Sequence, residues 1–174
     1  MPAVTRHRSV DMRIADLIKV PSPPDCAIVL LEERGGDPRR LLIWIGGPEA
    51  TSMALRLAGM GRPARPLGAD LSVALVDSLG GRLVAVRIDR LDEGTFYATV
   101  VVDGPRGTVE VDARPSDALN LALAVGAPVR VDEGVLEQAA AEADQVAVEI
   151  PPLPAPGTEG APGARAIVAE LAAG

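Results

Sequence analysis

The segment 109–128, VEVDARPSDALNLALAVGAP, contains a predicted strand, a charged turn and a predicted helix with little sequence between them. Two valines alternate with acidic residues at its start, which indicates a strand with one buried face. An Arg-Pro pair ends the strand, and Ser116 is predicted to cap a helix whose positive end is complemented by Asp117. Apolar residues at helical spacing follow, and Gly126 ends the helix. Charged side chains are therefore expected to gather at this strand-to-helix junction.

The rest of the chain predicts one α+β domain over residues 11–143. Apolar runs bounded by turn residues predict further strands at 11–20, 26–31, 41–46, 82–91, 95–102 and 128–131. The segment 11–20 also fits a helical turn, but the prolines after it favour a strand. Helical spacing predicts helices at 48–58, 70–79 and 134–143. Hairpin-like strand pairs with helices between them predict a mixed, largely antiparallel sheet with helices packed on it.

Both ends of the chain are expected to lie outside this domain. Residues 1–10 are predicted to form a flexible N-terminus. Residues 144–174 are predicted to form a disordered tail, because their prolines lie among alanine and glycine and cannot build a packed core. The tail is also acidic: residues 1–130 hold 16 basic and 16 acidic residues, so the region after them accounts for the net charge of −7.

Several classes of chemistry are excluded by composition. The sole histidine, His7, lies near the N-terminus, which argues against Ser-His-Asp and Cys-His nucleophiles and against histidine zinc sites. The sole cysteine, Cys26, forms no internal disulfide and is expected to pack as a small hydrophobe. No signal segment or membrane-length apolar run is present, so we expect a cytoplasmic protein with no membrane partner. The composition argues against binding single-stranded nucleic acid by stacking bases on aromatic side chains, since the only aromatic residues are Trp44, Phe96 and Tyr97.

Carboxylates and arginines therefore remain as the candidates for chemistry. The acids at predicted strand-to-helix junctions are Glu49, Asp70, Asp112 and Asp117. One or two such carboxylates suffice to hold Mg²⁺ or Mn²⁺, which activates water and neutralises phosphate charge. Each acid also has a structural interpretation. Glu49 and Asp117 complement helix dipoles, Asp70 caps a helix, and Asp112 is placed to pair with Arg114.

The arginines also allow two interpretations. Arg114 either clamps an anion or ties Asp117 and Asp112 together. Residues 56–90 lean positive, which indicates either a phosphate-facing patch or arginines scattered over solvated faces. The sequence leaves both questions open.

Four motifs resemble the bifunctional nuclease domain family, a group found in bacteria and plants. The resemblance runs from about Asp11 to Glu137, and the motifs are LLIWIGGPEA at 41–50, RPLGADL at 65–71, DEGTFYATVVV at 92–102 and VDARPSDALNLAL at 111–123. It implies an α+β fold that assembles as a homodimer. It also implies, for some members, metal-dependent nuclease activity on RNA and DNA.

The resemblance leads to a site hypothesis for a metal-dependent nuclease. The catalytic candidates are Asp117, Asp112, Arg114 and Asp70; the substrate-binding candidates are Arg65, Ser116 and Arg62; the metal candidates are Asp117, Asp112 and Glu49. One motif departs from the family pattern, because Gly68-Ala69 stands where the family usually has Thr-His. That departure favours the alternative hypothesis, a non-catalytic module that binds an anion or a protein partner.

Overall fold

The computed structural model describes residues 8–20, 25–35, 38–60, 63–143 and 152–173, and within these ranges it contains seven strands and five helices. The strands are β1 Ser9–Lys19, β2 Cys26–Glu33, β3 Arg40–Gly46, β4 Arg82–Asp92, β5 Thr95–Gly104, β6 Gly107–Ala113 and β7 Val129–Asp132. The helices are α1 Gly47–Leu57, α2 Gly68–Ser78, α3 Pro115–Val125, α4 Glu133–Ala143 and α5 Pro162–Ala173.

The strands form one sheet in the order β3-β2-β1-β7-β4-β5-β6. Neighbouring strands are antiparallel except for the parallel pair β4 and β7. The α+β class and the mixed, largely antiparallel sheet are therefore confirmed, as are the hairpin β2–β3 and the meander β4–β5–β6. The segment 11–20, which also fitted a helical turn, lies almost entirely in strand β1, so the prediction of a strand from the prolines that follow it is confirmed.

Helices α1, α3 and α4 bury their apolar faces in the main core. Met53 of α1 and Leu119 of α3 are fully buried there, and Val135 of α4 is nearly so. Cys26 is free and packs beside a smaller apolar cluster on β1 and β2, as expected for a small hydrophobe. None of the helices in the described ranges is long and apolar enough to cross a membrane.

Strand β6 and helix α2 leave apolar side chains in contact with solvent. The predicted half-buried strand is exposed instead: Val109 and Val111 are 53% and 48% exposed, because helices α1, α3 and α4 pack on the other edge strand, β3, and leave β6 uncovered. Helix α2 buries none of its residues, and its leucines form an exposed stripe at four-residue spacing. We refer to these exposed apolar residues together as the α2–β6 surface; they are Leu71, Leu75 and the C-cap Leu79 of α2, and Val109 and Val111 of β6.

The prediction of a disordered tail is wrong for residues 162–173, which form α5 and pack against α1 and β1. The buried carboxylate of Asp16 on β1 accepts hydrogen bonds of 3.0 Å from the main-chain N–H groups of Gly163 and Ala164. Asp16 therefore caps α5 from 147 positions away in the sequence. Composition alone missed this helix because its cap and its packing partners are not local.

A second buried carboxylate fixes the chain just before α5. Glu32 on β2 accepts hydrogen bonds from Arg13, from Arg40 and from the main-chain N–H of Gly157, and Arg40 also donates to the carbonyl of Pro154. Burial raises the pKa of Glu32, but the hydrogen bonds from Arg13, Gly157 and Arg40 outweigh it, so the pKa lies below its ordinary value. The acid is therefore charged. It links β2 to arginines on β1 and β3 and to the main chain of the C-terminal segment.

Parts of the predicted flexible N-terminus and of the predicted tail are among the residues that the structure describes. Of the predicted flexible N-terminus, residues 1–7 lie outside the described residues, and β1 already begins at Ser9. Of the predicted tail, residues 144–151 and residue 174 lie outside the described residues as well.

We expect Gly163→Ala to detach α5, because a β-carbon at this position would collide with the carbonyl oxygen of Leu17. The free energy of unfolding should fall by about 1–3 kcal/mol, as for other overpacked sites. Urea denaturation measures this loss, and hydrogen exchange should show lost protection of the α5 amides.

Gly134→Ala is the matched control. Gly134 is also the second residue of its helix, but a β-carbon there meets nothing within 4 Å. Alanine is the better helix former, so this control should be neutral or slightly stabilising. Equal stability of the two variants would show that α5 does not depend on the close approach at Gly163.

Candidate functional site at three helix N-termini

The first turns of α1, α2 and α3 enclose an open cleft of about 410 Å³. None of the three N-cap residues makes a side-chain hydrogen bond to its helix. No N-cap side chain therefore satisfies the main-chain N–H groups of the three first turns. The positive ends of helix dipoles and such N–H groups favour anions. The cleft is lined by Pro48, Glu49, Ser52, Leu67, Gly68, Ala69, Ser72, Asp117, Asn120 and Leu121.

Arg114 joins two of the three helices at the mouth of this cleft. Its guanidinium binds Asp117 through Nε–Oδ2 at 2.7 Å and Nη2–Oδ1 at 3.0 Å, and it binds Glu49 through Nη2–Oε1 at 2.8 Å. The hydrogen bonds that Arg114 donates to Asp117 and then to Glu49 raise its pKa, so the guanidinium is always charged. We call this arrangement the Arg114 clasp. It carries one net negative charge.

The clasp answers the question that the sequence left open about Arg114. The arginine ties Asp117 to Glu49, whereas the predicted pairing with Asp112 is wrong. Asp112 is exposed on β6, opposite Thr99 of β5, and it does not line the cleft. The sequence suggested Asp112 because it is close to Arg114 along the chain. The contact with Glu49 joins residues that are far apart in sequence, and no local pattern indicates it.

Asp70 fixes the loop that leads into α2. Its carboxylate accepts a hydrogen bond from Arg56 at 2.8 Å and another from the main-chain N–H of Leu67 at 2.9 Å. The N-cap of α2 is Leu67, so Asp70 satisfies a main-chain donor from the third position of the helix rather than as the predicted N-cap. Asp70 and Arg56 are both largely buried and position one wall of the cleft.

The predicted substrate-binding residues have separate outcomes. The prediction of Ser116 as N-cap is wrong, because α3 begins at Pro115 after the N-cap Arg114, and Ser116 is buried in the first turn. Arg65 is exposed and, within the described part of the chain, makes no hydrogen bond or ion pair. Arg62 lies outside the described residues.

The other four arginines between residues 56 and 90 are paired with carboxylates. Arg90 also lies over the ring of Tyr97, with its Cζ 3.4 Å from the ring centroid. Arginines that already face acids offer little charge to a phosphate backbone, so the interpretation as scattered arginines fits better. The ion pairs are Arg56–Asp70, Arg82–Asp103, Arg87–Glu110 and Arg90–Asp92.

Sequence reasoning missed Asn120, which connects α3 to α1. Its Nδ2 donates hydrogen bonds to the main-chain carbonyls of Glu49 at 3.1 Å and Ser116 at 3.0 Å. The side chain is buried on the cleft wall. The available signal was an amide one turn after Asp117 in an otherwise apolar helix stripe.

The donor set limits how a metal ion is held. Within the described ranges, no three His, Cys, Asp or Glu side chains come together as a metal site. Glu49 and Asp117 supply two carboxylates, which does not fit an ion enclosed by protein ligands alone. Two carboxylates do fit Mg²⁺ or Mn²⁺ that shares its coordination with water and a substrate phosphate.

Two other cavities contain none of the predicted site residues. One, of about 490 Å³, lies between β1, β7 and the end of α3. The other, of about 930 Å³, lies between α5 and the start of α1. The cleft at the three helix N-termini is therefore the site that the sequence analysis and the geometry share.

Comparison with known proteins agrees with the resemblance in the motifs. The model of the bifunctional nuclease domain family matches residues 29–144. The chain is also similar to two uncharacterized proteins of Mycobacterium tuberculosis, from strains CDC 1551 / Oshkosh and ATCC 25618 / H37Rv. Each is 47% identical over 122 residues, which cover 70% of this chain and 71% of the relative.

We expect Arg114→Lys to weaken the clasp, because an ammonium group lacks the planar fork that reaches two carboxylates at once. The free energy of unfolding should fall by about 0.5–1 kcal/mol, a range that allows for the exposure of Arg114. Urea denaturation measures this change, and a double-mutant cycle with Glu49→Gln isolates the contact between helices.

Arg130→Lys is the control for this substitution. Arg130 is comparably exposed but contacts a single carboxylate, that of Asp11. It should lose less stability than Arg114→Lys. If the two substitutions cost the same, the bridging geometry of Arg114 contributes nothing.

Proposed function

Since this chain belongs to the bifunctional nuclease domain family, we propose that it hydrolyses phosphodiester bonds of RNA or DNA in the cleft between α1, α2 and α3. The family supports a function related to nucleic acids. The observation that carries the proposal is the convergence of three helix N-termini on the Arg114 clasp. This arrangement sets anion-binding N–H groups next to two carboxylates.

The proposed roles follow from which groups donate and which accept. Main-chain N–H groups at Gly68 and Ala69 contact a phosphate, since neither side chain shields the backbone there. Arg65, exposed and unpaired among the described residues, adds a positive charge beside them. Glu49 and Asp117 face the reacting group as carboxylates, and Arg114 orients both of them. Asp70 acts as a positioning residue behind α2.

A divalent ion completes the proposed site. Glu49 and Asp117 would hold Mg²⁺ or Mn²⁺ together with the substrate phosphate, and the net negative charge of the clasp favours the cation. When bound, such an ion activates water and neutralises phosphate charge. Asp112 is left out of this set because it lies away from the cleft.

We expect Glu49→Gln and Asp117→Asn to lower cleavage of single-stranded RNA and DNA by about a hundredfold or more, because each removes one of two metal-holding charges. Activity should require Mg²⁺ or Mn²⁺ and disappear in EDTA. Asp92→Asn is the matched control, since Asp92 is an exposed carboxylate paired with one arginine, Arg90. Equal activity in all preparations would identify a contaminating nuclease.

A non-catalytic module is the second candidate, and the Gly68-Ala69 departure favours it. A β-carbon at Gly68 meets nothing within 4 Å, and Ala69 lines the open cleft, so we expect the cleft to accommodate the double substitution Gly68→Thr with Ala69→His. If the wild type is inactive and the double variant cleaves RNA or DNA, the chain has lost a catalytic side chain. A thermal-shift response to phosphorylated ligands without turnover would then describe the wild type.

The proposal includes a homodimer formed across the α2–β6 surface. Edge strand β6 has no strand partner on its outer side, and its exposed Val111 lines an apolar crevice of about 170 Å³ between α2 and the sheet. Exposed apolar surface of this kind marks a protein interface, and a free edge strand pairs readily with another strand. A second copy of the chain satisfies both features at once.

We therefore expect Leu75→Glu and Val111→Lys to convert a dimer into a monomer, because each puts a charge into the proposed interface. Sedimentation velocity or light scattering after gel filtration measures the mass. Leu171→Glu is the control: Leu171 is a similarly exposed leucine on α5, away from this surface. A monomeric wild type, or a dimer that survives both substitutions, would rule out this interface.

A further inference from the structure

The cavity of about 490 Å³ between β1, β7 and the end of α3 is lined by three arginines, Arg13, Arg34 and Arg130, and by one acid, Asp11. Three guanidinium groups against one carboxylate leave a surplus of two positive charges. Among the described residues, arginines line none of the other three cavities, including the cleft. A concave surface lined by one sign of charge concentrates ions of the opposite sign.

The cavity exists because β7 is shorter than the strand beside it. β7 pairs with Ser9–Met12 of β1, and from Arg13 to Lys19 β1 has no partner on that side among the described strands. The cavity lies where β7 begins, between this continuing part of β1 and the residues that end α3. It is therefore a product of the sheet topology and does not depend on the conformation of one side chain.

The three arginines differ in what they already contact. Arg34 follows β2, is exposed, and makes no side-chain hydrogen bond or ion pair within the described ranges. Arg130 is exposed and donates from Nε to a single carboxylate, that of Asp11, at 3.1 Å. Arg13 is the least exposed and is held by Glu32. A guanidinium carries five N–H donors, so Arg34 and Arg130 have donors left for an anion.

The opposite wall of the cavity favours hydrogen-bond donors. The last carbonyl groups of a helix lack partners within the helix and lie at its negative end. At the end of α3, Gly126 and Ala127 both donate to the carbonyl of Ala122, so Leu123 does not receive the amide of Ala127. A ligand that suits both walls carries an anionic group at one end and N–H groups at the other.

We propose that this cavity binds a nucleoside monophosphate, with its phosphate at Arg34 and Arg130 and its base toward the end of α3. Planar guanidinium groups match phosphate oxygens in two-point contacts, and the bases carry N–H donors. The volume lies within the range of about 300–1,000 Å³ for small-molecule sites. The inference does not rest on the proposed function, because the eleven residues of α3 set this cavity about 16 Å from the Arg114 clasp.

Isothermal titration calorimetry of the full chain with adenosine 5′-monophosphate, adenosine and inorganic phosphate tests this assignment. No divalent ion is added, so that binding at a metal does not contribute. The monophosphate should bind about tenfold more tightly than either fragment, because each fragment lacks one of the two contacts. Arg34→Gln should weaken binding of the monophosphate by about tenfold, the effect of one charged hydrogen bond. Arg34→Lys keeps the charge and should lose less.

Arg106→Gln is the matched control and should bind like the wild type. Arg106 is also an exposed arginine, lies in the turn between β5 and β6 outside the cavity, and has no ion pair among the described residues. Adenosine or inorganic phosphate binding as tightly as the monophosphate would overturn the assignment. So would an absence of binding, or an equal loss in Arg34→Gln and Arg106→Gln.

Two further outcomes separate this site from the cleft. If Arg65→Gln weakens binding of the monophosphate and Arg34→Gln does not, the nucleotide lies in the cleft; this inference then fails and the nuclease proposal stands. If Arg34→Gln weakens binding of an unphosphorylated oligonucleotide and not that of the monophosphate, the cavity contacts a nucleic acid strand, and its assignment to a free nucleotide is overturned. Absence of nuclease activity would overturn the proposed function alone.

Discussion

The continuity of the sheet depends on the four residues of β7. This strand pairs antiparallel with β1 on one side and parallel with β4 on the other, so it alone joins the β3-β2-β1 half to the β4-β5-β6 half. Helix α3 leads into β7 and therefore lies between the halves. That position brings the start of α3, which follows one edge strand, to the start of α1, which follows the other.

The Arg114 clasp is a consequence of this arrangement. Glu49 comes from the half that ends in β3, whereas Arg114 and Asp117 come from the half that ends in β6. Asn120 repeats the connection with a hydrogen bond to the main chain of α1. The candidate site is thus built where the two halves meet, and the contacts that shape it also hold the helices together.

Local patterns were sufficient for most of the strands and helices. Alternation, helical spacing and turn residues are properties of neighbouring residues, so the hairpin, the meander and α3 were predictable. Partners distant in sequence were not. Nothing near Arg114 indicated Glu49, and nothing near residue 162 indicated its cap at Asp16. The exposure of Val109 depends on which strands the helices cover, and that is not a local property either.

Two buried acids show how this fold combines charge with burial. A carboxylate removed from water is unfavourable unless hydrogen bonds replace its hydration. Glu32 receives them from two arginines and a main-chain N–H, and Asp16 receives them from the first turn of α5. Main-chain N–H groups of the C-terminal segment therefore replace water around these two buried carboxylates of the sheet.

The capping of α5 by Asp16 also bears on biosynthesis. The ribosome makes Asp16 early and its partner Gly163 147 residues later. At about 5–20 residues per second, the interval is on the order of 10 s. Throughout that time the nascent β1 holds a carboxylate that still needs water, so β1 reaches its final surroundings only after α5 has been made.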